Sequence, residues 1–125
     1  MISSTFKPKL NILQTEFKNV VTSQEVLEYL KSFKDNTTYP RQLRTIVDAT
    51  NASFSFSYKS LKQFNSARIE SLKNYNIVVT AVVISNPATA AISTLYGAIA
   101  RGKKYKYKVF STRSAALKWI ESYTF

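Results

Sequence analysis

Apolar positions change their period several times along the chain, and each change predicts an element. Ile2 to Phe6 and Asn11 to Phe17 alternate imperfectly around Lys7-Pro8-Lys9, which reads as a hairpin of two short strands. Thr22 to Phe33 has the helical period, with Val26, Leu27, Leu30 and Phe33 as its buried stripe. Thr22 and Glu25 have the capping-box spacing, in which each side chain satisfies the other residue's free backbone N–H. Asp35-Asn36-Thr37 ends this helix, and Tyr39-Pro40 belongs to a loop. Leu43 to Ala49 is a strand that ends near Asp48. A second helix runs from a Ser57 cap to about Lys73, with Leu61, Phe64 and Leu72 on its apolar side and Ile69 at the margin.

Asn76 to Ser85 contains an almost unbroken β-branched run, which implies burial on both faces in the middle of a sheet. Asn86-Pro87 opens a third helix, with Asn as cap and Pro at the first helical position. Its end is expected at Arg101-Gly102, where glycine would take the left-handed closing conformation. Lys104 to Phe110 alternates strictly, with Tyr105, Tyr107 and Val109 on one face and Lys104, Lys106 and Lys108 on the other. That predicts a half-exposed strand at a sheet edge. Ser111-Thr112 caps a last helix whose Ala116, Leu117, Trp119 and Ile120 should dock on the core. Strands alternating with helices predict an α/β layered domain with right-handed crossovers. No repeat, low-complexity tract or composition break divides the chain, so residues 1–125 read as one domain.

Composition narrows the chemistry. Hydrophobic residues are 45% of the 125 and aromatics 14%, enough for a packed core, while 2 Gly and 3 Pro suit regular elements with short loops. There are 0 Cys and 0 His, which removes disulfides, thiolate metal sites and nucleophilic triads built on histidine. The acids Glu16, Glu25, Glu28, Asp35, Asp48, Glu70 and Glu121 are scattered, with no spacing that suggests a carboxylate pair. A non-enzymatic role without cofactor or metal is therefore expected. The formal net charge of +11 attracts anionic partners, although a lysine-rich solvated surface accounts for it equally well. The uncharged run Ile77 to Ala100 is long enough to span a bilayer, yet Asn86-Pro87 interrupts it and Ala, Ser and Thr fill its second half. A buried strand followed by a packed helix is the better reading. The start carries no secretory signal, so a cytoplasmic location is expected.

Four features carry functional hypotheses. Arg68 interrupts the apolar stripe of the second helix, four residues from both Phe64 and Leu72. Such a charge must pair with an acid or snorkel to water. The sharper reading is an anion-binding arginine in a pocket, with Asp48 as its resting partner. Asn86 begins a helix at the sheet edge where open α/β folds bind ligands, and the N–H groups of Ala88 and Thr89 would suit a phosphate or carboxylate. Ala90, Ser93, Thr94, Gly97 and Ala98 are small residues on the third helix, suited to close packing inside the domain, to a homodimer contact or to an apolar groove. Arg101, Lys103, Lys104, Lys106 and Lys108 concentrate positive charge beside tyrosines. Alternation sends the rings and the lysines to opposite faces, so guarding an edge strand is favoured over holding nucleic acid.

Several strings together resemble the SpoIIAA-like (STAS/SEC14-type) family of small bacterial domains. They are Asn11 to Phe17 followed by Val21 to Val26, then Ile46 to Thr50, Val82 to Pro87 and the closing Lys108 to Ile120. The resemblance implies a mixed sheet with helices mainly on one side. It also implies a role in binding a protein partner or an apolar ligand. One branch carries a phosphorylatable serine after the aspartate-ending strand. Asn51 to Tyr58 holds Ser55 and Ser57 there but lacks that motif's Asp and Gly, so the switch does not carry over. The resulting expectation is a SpoIIAA-like module acting through a protein partner or small ligand at the Asp48–Arg68–Asn86 end of the sheet. The alternative is a basic module for nucleic acid or an acidic surface.

Overall fold

The structure is a computed structural model that describes all 125 residues. Its strands are β1 (Ile2–Lys7), β2 (Ile12–Val21), β3 (Gln42–Phe54), β4 (Ile77–Val83) and β5 (Tyr105–Phe110). Its helices are α1 (Ser23–Ser32), α2 (Leu61–Ser71), α3 (Pro87–Ala100) and α4 (Arg113–Ser122), with a short 3-10 turn at Tyr58–Ser60 before α2. The strands form one mixed sheet in sequence order, with β1 antiparallel to β2 and every later pair parallel.

This order explains the layering. Three successive crossovers, each to the adjacent strand and all of one hand, must lay their helices on the same face. Accordingly α1, α2 and α3 share one core with Leu13, Val47, Val82 and Tyr105 of the sheet. The last helix follows the edge strand and folds to the opposite face, where Ala116 and Ile120 meet Ile12, Ile46, Val79 and Val83. With cover on both sides, β4 is buried along nearly its whole length, as its β-branched run requires.

Local signals set most boundaries. The Thr22–Glu25 capping box forms, with both reciprocal hydrogen bonds present. Asn86 caps α3 with Pro87 at the first position, and Thr112 caps α4. The long uncharged run therefore divides into β4 and α3, and no helix is long and apolar enough to cross a membrane. Ser57 caps the 3-10 turn, and the regular α2 starts only at Leu61.

Two expectations are corrected. The third strand continues past Ala49 to Phe54, because β2 also runs on to Val21 beyond a bulge at Glu16/Lys18 and supplies a partner edge. Asn19 takes a positive φ of 60° just past that bulge, a conformation asparagine tolerates better than most residues. Gly102 does not close α3 in a left-handed conformation, as no glycine has positive φ. Arg101 leaves the helix in extended backbone, and the Gly102 N–H donates to the Tyr105 carbonyl at 3.0 Å.

Candidate functional site: an aromatic cavity beneath three helices

Strand parity decides what each face presents. On β3, Val47 and Ala49 point toward α1–α3, and Asp48 therefore points toward α4. On β5, Tyr105 and Tyr107 point inward under α3, and Phe110 packs on the α4 side. Ser93 and Tyr96, three apart on α3, come down over these tyrosines. Gly97 is the point of closest approach, since a Cβ there would lie 2.6 Å from Tyr107 Cδ1.

Between this sheet face and the helices lies a half-open cavity of about 90 Å³. Phe17 and Val47 form its floor, Tyr29 of α1 and Phe64 of α2 its walls, and Ile92 and Tyr96 part of its roof. Of the sixteen residues around it, only Ser93 is neither apolar nor aromatic. The rings brace one another. Phe54 stacks on Phe56 at 4.7 Å, Phe56 meets Phe64 edge-on at 5.0 Å, and Tyr96 meets Tyr107 at 5.3 Å. Rings have two side-chain torsions and rigid planes, so they cannot flow into a gap as methionine can.

The polar atoms here are few. The Tyr29 hydroxyl shares a hydrogen bond with Thr15 Oγ1 at 3.1 Å, and Thr15 in turn pairs with Ser4 at 2.8 Å. The Tyr96 hydroxyl is buried with no hydrogen-bond partner. Burial pushes the phenol pKa up at Tyr29, Tyr96, Tyr105 and Tyr107, so all four stay neutral in ordinary buffers. Arg68 of α2 lies over the ring of Tyr105, a lining residue, with its guanidinium carbon 4.4 Å from the centroid. One terminal nitrogen donates to Asn65 Oδ1 at 2.8 Å, and the Nε–H has no partner.

The other expected site residues fall elsewhere. Asp48 does not pair with Arg68. It accepts from the Thr50 N–H and hydroxyl and lies 3.9 Å from Arg113, on the opposite face of the sheet. The two are also apart along the strands. Asp48 is opposite Val83, while the Tyr105 beneath Arg68 is opposite Val78, five residues or roughly 16 Å away. The Ala88 and Thr89 N–H groups are not free for an anion, because Asn86 Oδ1 accepts both, at 2.9 and 3.2 Å. Lys106 and Lys108 lie on the edge strand with their side chains away from the tyrosines. Arg101 and Lys103 are exposed in the preceding turn, and Lys104 donates to the Lys73 carbonyl at 3.4 Å.

Sequence reasoning missed Tyr96, Phe54 and Phe56 as site residues. The signal for Tyr96 was its spacing from Ser93 and its place beside Gly97. For the two phenylalanines it was a paired aromatic string just before the second helix.

No protein-family model matches the chain, and neither does any curated protein. Among solved structures, it is similar to an uncharacterised protein of the DUF3478 family with a SpoIIAA-like fold from Shewanella loihica PV-4. The TM-score is 0.61 at 14% identity, over 95% of this chain and 93% of that one. With its five-stranded mixed sheet and four helices, the chain has the SpoIIAA-like fold.

Proposed function

We propose that the chain is a non-enzymatic binding module that holds a small apolar ligand in the cavity between its sheet and α1–α3. The observation that carries this reading is the lining itself, in which fifteen of sixteen residues are apolar or aromatic around about 90 Å³ of space. Ligand pockets are typically apolar concavities with a few polar groups to fix orientation. The absence of His and Cys from the chain supports binding over catalysis. The exposed cations near β5 are read as guards of the open edge.

The test is a titration of the nitrogen-15-labelled protein with toluene, followed by amide shifts. Saturable shifts confined to residues around the cavity are expected. Ala49→Leu, which projects a larger side chain into the cavity from β3, should abolish them. Shifts scattered over the surface, or unaltered binding in that variant, refute the reading.

A further inference from the structure

Arg68 is the one arginine buried in this chain, 8% exposed, and no carboxylate lies within ion-pair distance of it. Its company is a neutral amide, Asn65, and the face of Tyr105. Stacking on a ring offsets part of the cost of desolvating a cation, but it supplies no acceptor for the Nε–H. Tyr96, 9% exposed, also lines the cavity with an unpaired hydroxyl. The guanidinium lies over the Tyr105 ring, and Tyr105 and Tyr96 both line the cavity. Beside an apolar cavity, then, sit a full positive charge stacked on one of its lining rings and two donors without acceptors. A buried donor left unmatched costs about 1–3 kcal/mol. The chemical complement is an oxygen acceptor that carries negative charge. A cationic ligand would meet a like charge in a medium that screens poorly.

The cavity limits the rest of the molecule. An apolar cavity of about 150 Å³ takes up benzene, and the half-open space here is about 90 Å³. That admits a short chain or one ring, and excludes a sterol or a fully enclosed long acyl chain.

We infer that the ligand is an organic acid with a short apolar body, its anionic oxygens held by the Arg68 guanidinium and the Tyr96 hydroxyl. The inference rests on the cavity being the ligand site, and the experiment separates the two.

Hexanoate and hexanamide have nearly the same shape and differ in charge. Each is titrated into the labelled full-length protein at neutral pH, and dissociation constants are taken from the amide shifts. Hexanoate should bind more tightly by about tenfold, the worth of one charged hydrogen bond. Arg68→Met keeps the apolar stem and should bring the two constants to near equality by weakening hexanoate far more than hexanamide. Tyr96→Phe removes one oxygen from an otherwise unchanged ring, so it tests the assignment even where Arg68→Met does not fold. It should reduce the preference severalfold, weakening hexanoate more than hexanamide, whose carbonyl accepts a weaker hydrogen bond. Equal affinities in the unmodified protein overturn the acid assignment and leave the cavity reading standing. A preference that survives both substitutions overturns the role of these two residues. Failure of both probes to shift cavity residues overturns the cavity reading as well.

Discussion

Gly97 tests how α3 is seated on the edge strand. It lies inside the helix with helical backbone, so only space, not φ, calls for glycine there. On an isolated helix Gly97→Ala would stabilise by about 1 kcal/mol. Here the new Cβ would stand 2.6 Å from Tyr107 Cδ1 and 3.1 Å from Cε1, so the ring must retreat by roughly 1 Å to reach ordinary carbon contact. It has nowhere easy to go, since Tyr96 stands against it at 5.3 Å and Tyr105 at 6.0 Å. Overpacking of this kind costs typically about 1–3 kcal/mol. Packing should outweigh propensity, for a net loss of about 1 kcal/mol and a fall of some 3–6 °C in Tm for a chain of this size. Urea unfolding followed by far-UV circular dichroism measures the change directly. In a Tyr107→Val background the obstructing ring is gone, and Gly97→Ala should become stabilising by about 1 kcal/mol. The reversal of sign is the signature, a coupling of about 2 kcal/mol between two residues that touch. A stabilising Gly97→Ala in the unmodified chain, or additivity of the two substitutions, would refute the close approach of α3 to β5.

Two further outcomes follow from buried groups. The raised pKa values of Tyr29, Tyr96, Tyr105 and Tyr107 mean that the folded chain keeps protons the unfolded chain has lost above about pH 10. Stability should be complete below that pH and fall as pH rises, by about 1.4 kcal/mol per unit for each phenol or about 5.5 for the four, against a total of about 5–15 kcal/mol. Ionisation of these four phenols and loss of helical dichroism should thus appear together in one steep transition above pH 10, and ionisation of every tyrosine with the fold intact would contradict this. Arg44 donates to the Ile120 and Tyr123 carbonyls at 3.0 and 2.7 Å and lies 4.3 Å over the Phe125 ring, so it anchors the end of α4. Arg44→Met should cost about 1–3 kcal/mol and speed amide exchange selectively near residues 120–123; uniform acceleration would show that the anchor is not local.

What the sequence disclosed, and what it withheld, divides along one physical line. Signals carried by residues a few positions apart were legible. The Thr22–Glu25 box, the Asn86-Pro87 helix start, the doubly buried β4 and the inward tyrosines of β5 all appear as read. What depended on a distant partner was hidden. Residues 50–53 are small or polar and form strand only because residues 18–20 of β2 lie alongside. The Asp48–Arg68 pairing failed for a similar reason. Parity put Asp48 opposite Val47 and Ala49, but only the crossover hand decided which of those faces α2 would cover. Arg68 was conspicuous from its position in the stripe, whereas Tyr96 gained meaning only once Tyr105 and Tyr107 were beneath it.

The cavity also poses a choice between stability and binding that one substitution resolves. By the scale found for truncated cores, about 24 cal/mol per Å³, a void of about 90 Å³ costs at most about 2 kcal/mol, and less where water enters a half-open space. Filling such voids is among the easiest ways to stabilise a protein, so a filling substitution separates a void that serves binding from one that is only imperfect packing. Ala49, 2% exposed on β3, is the smallest side chain on the cavity floor. Ala49→Leu should therefore raise unfolding stability by about 1 kcal/mol while abolishing toluene and hexanoate binding. Gain of stability with loss of binding identifies the void as the site. Gain of stability with binding intact would show that ligands sit elsewhere and that the void is only imperfect packing. A loss of stability would mean that the rings leave no room for a larger side chain at this position, and the space would then be too constrained to admit any ligand of the kind proposed.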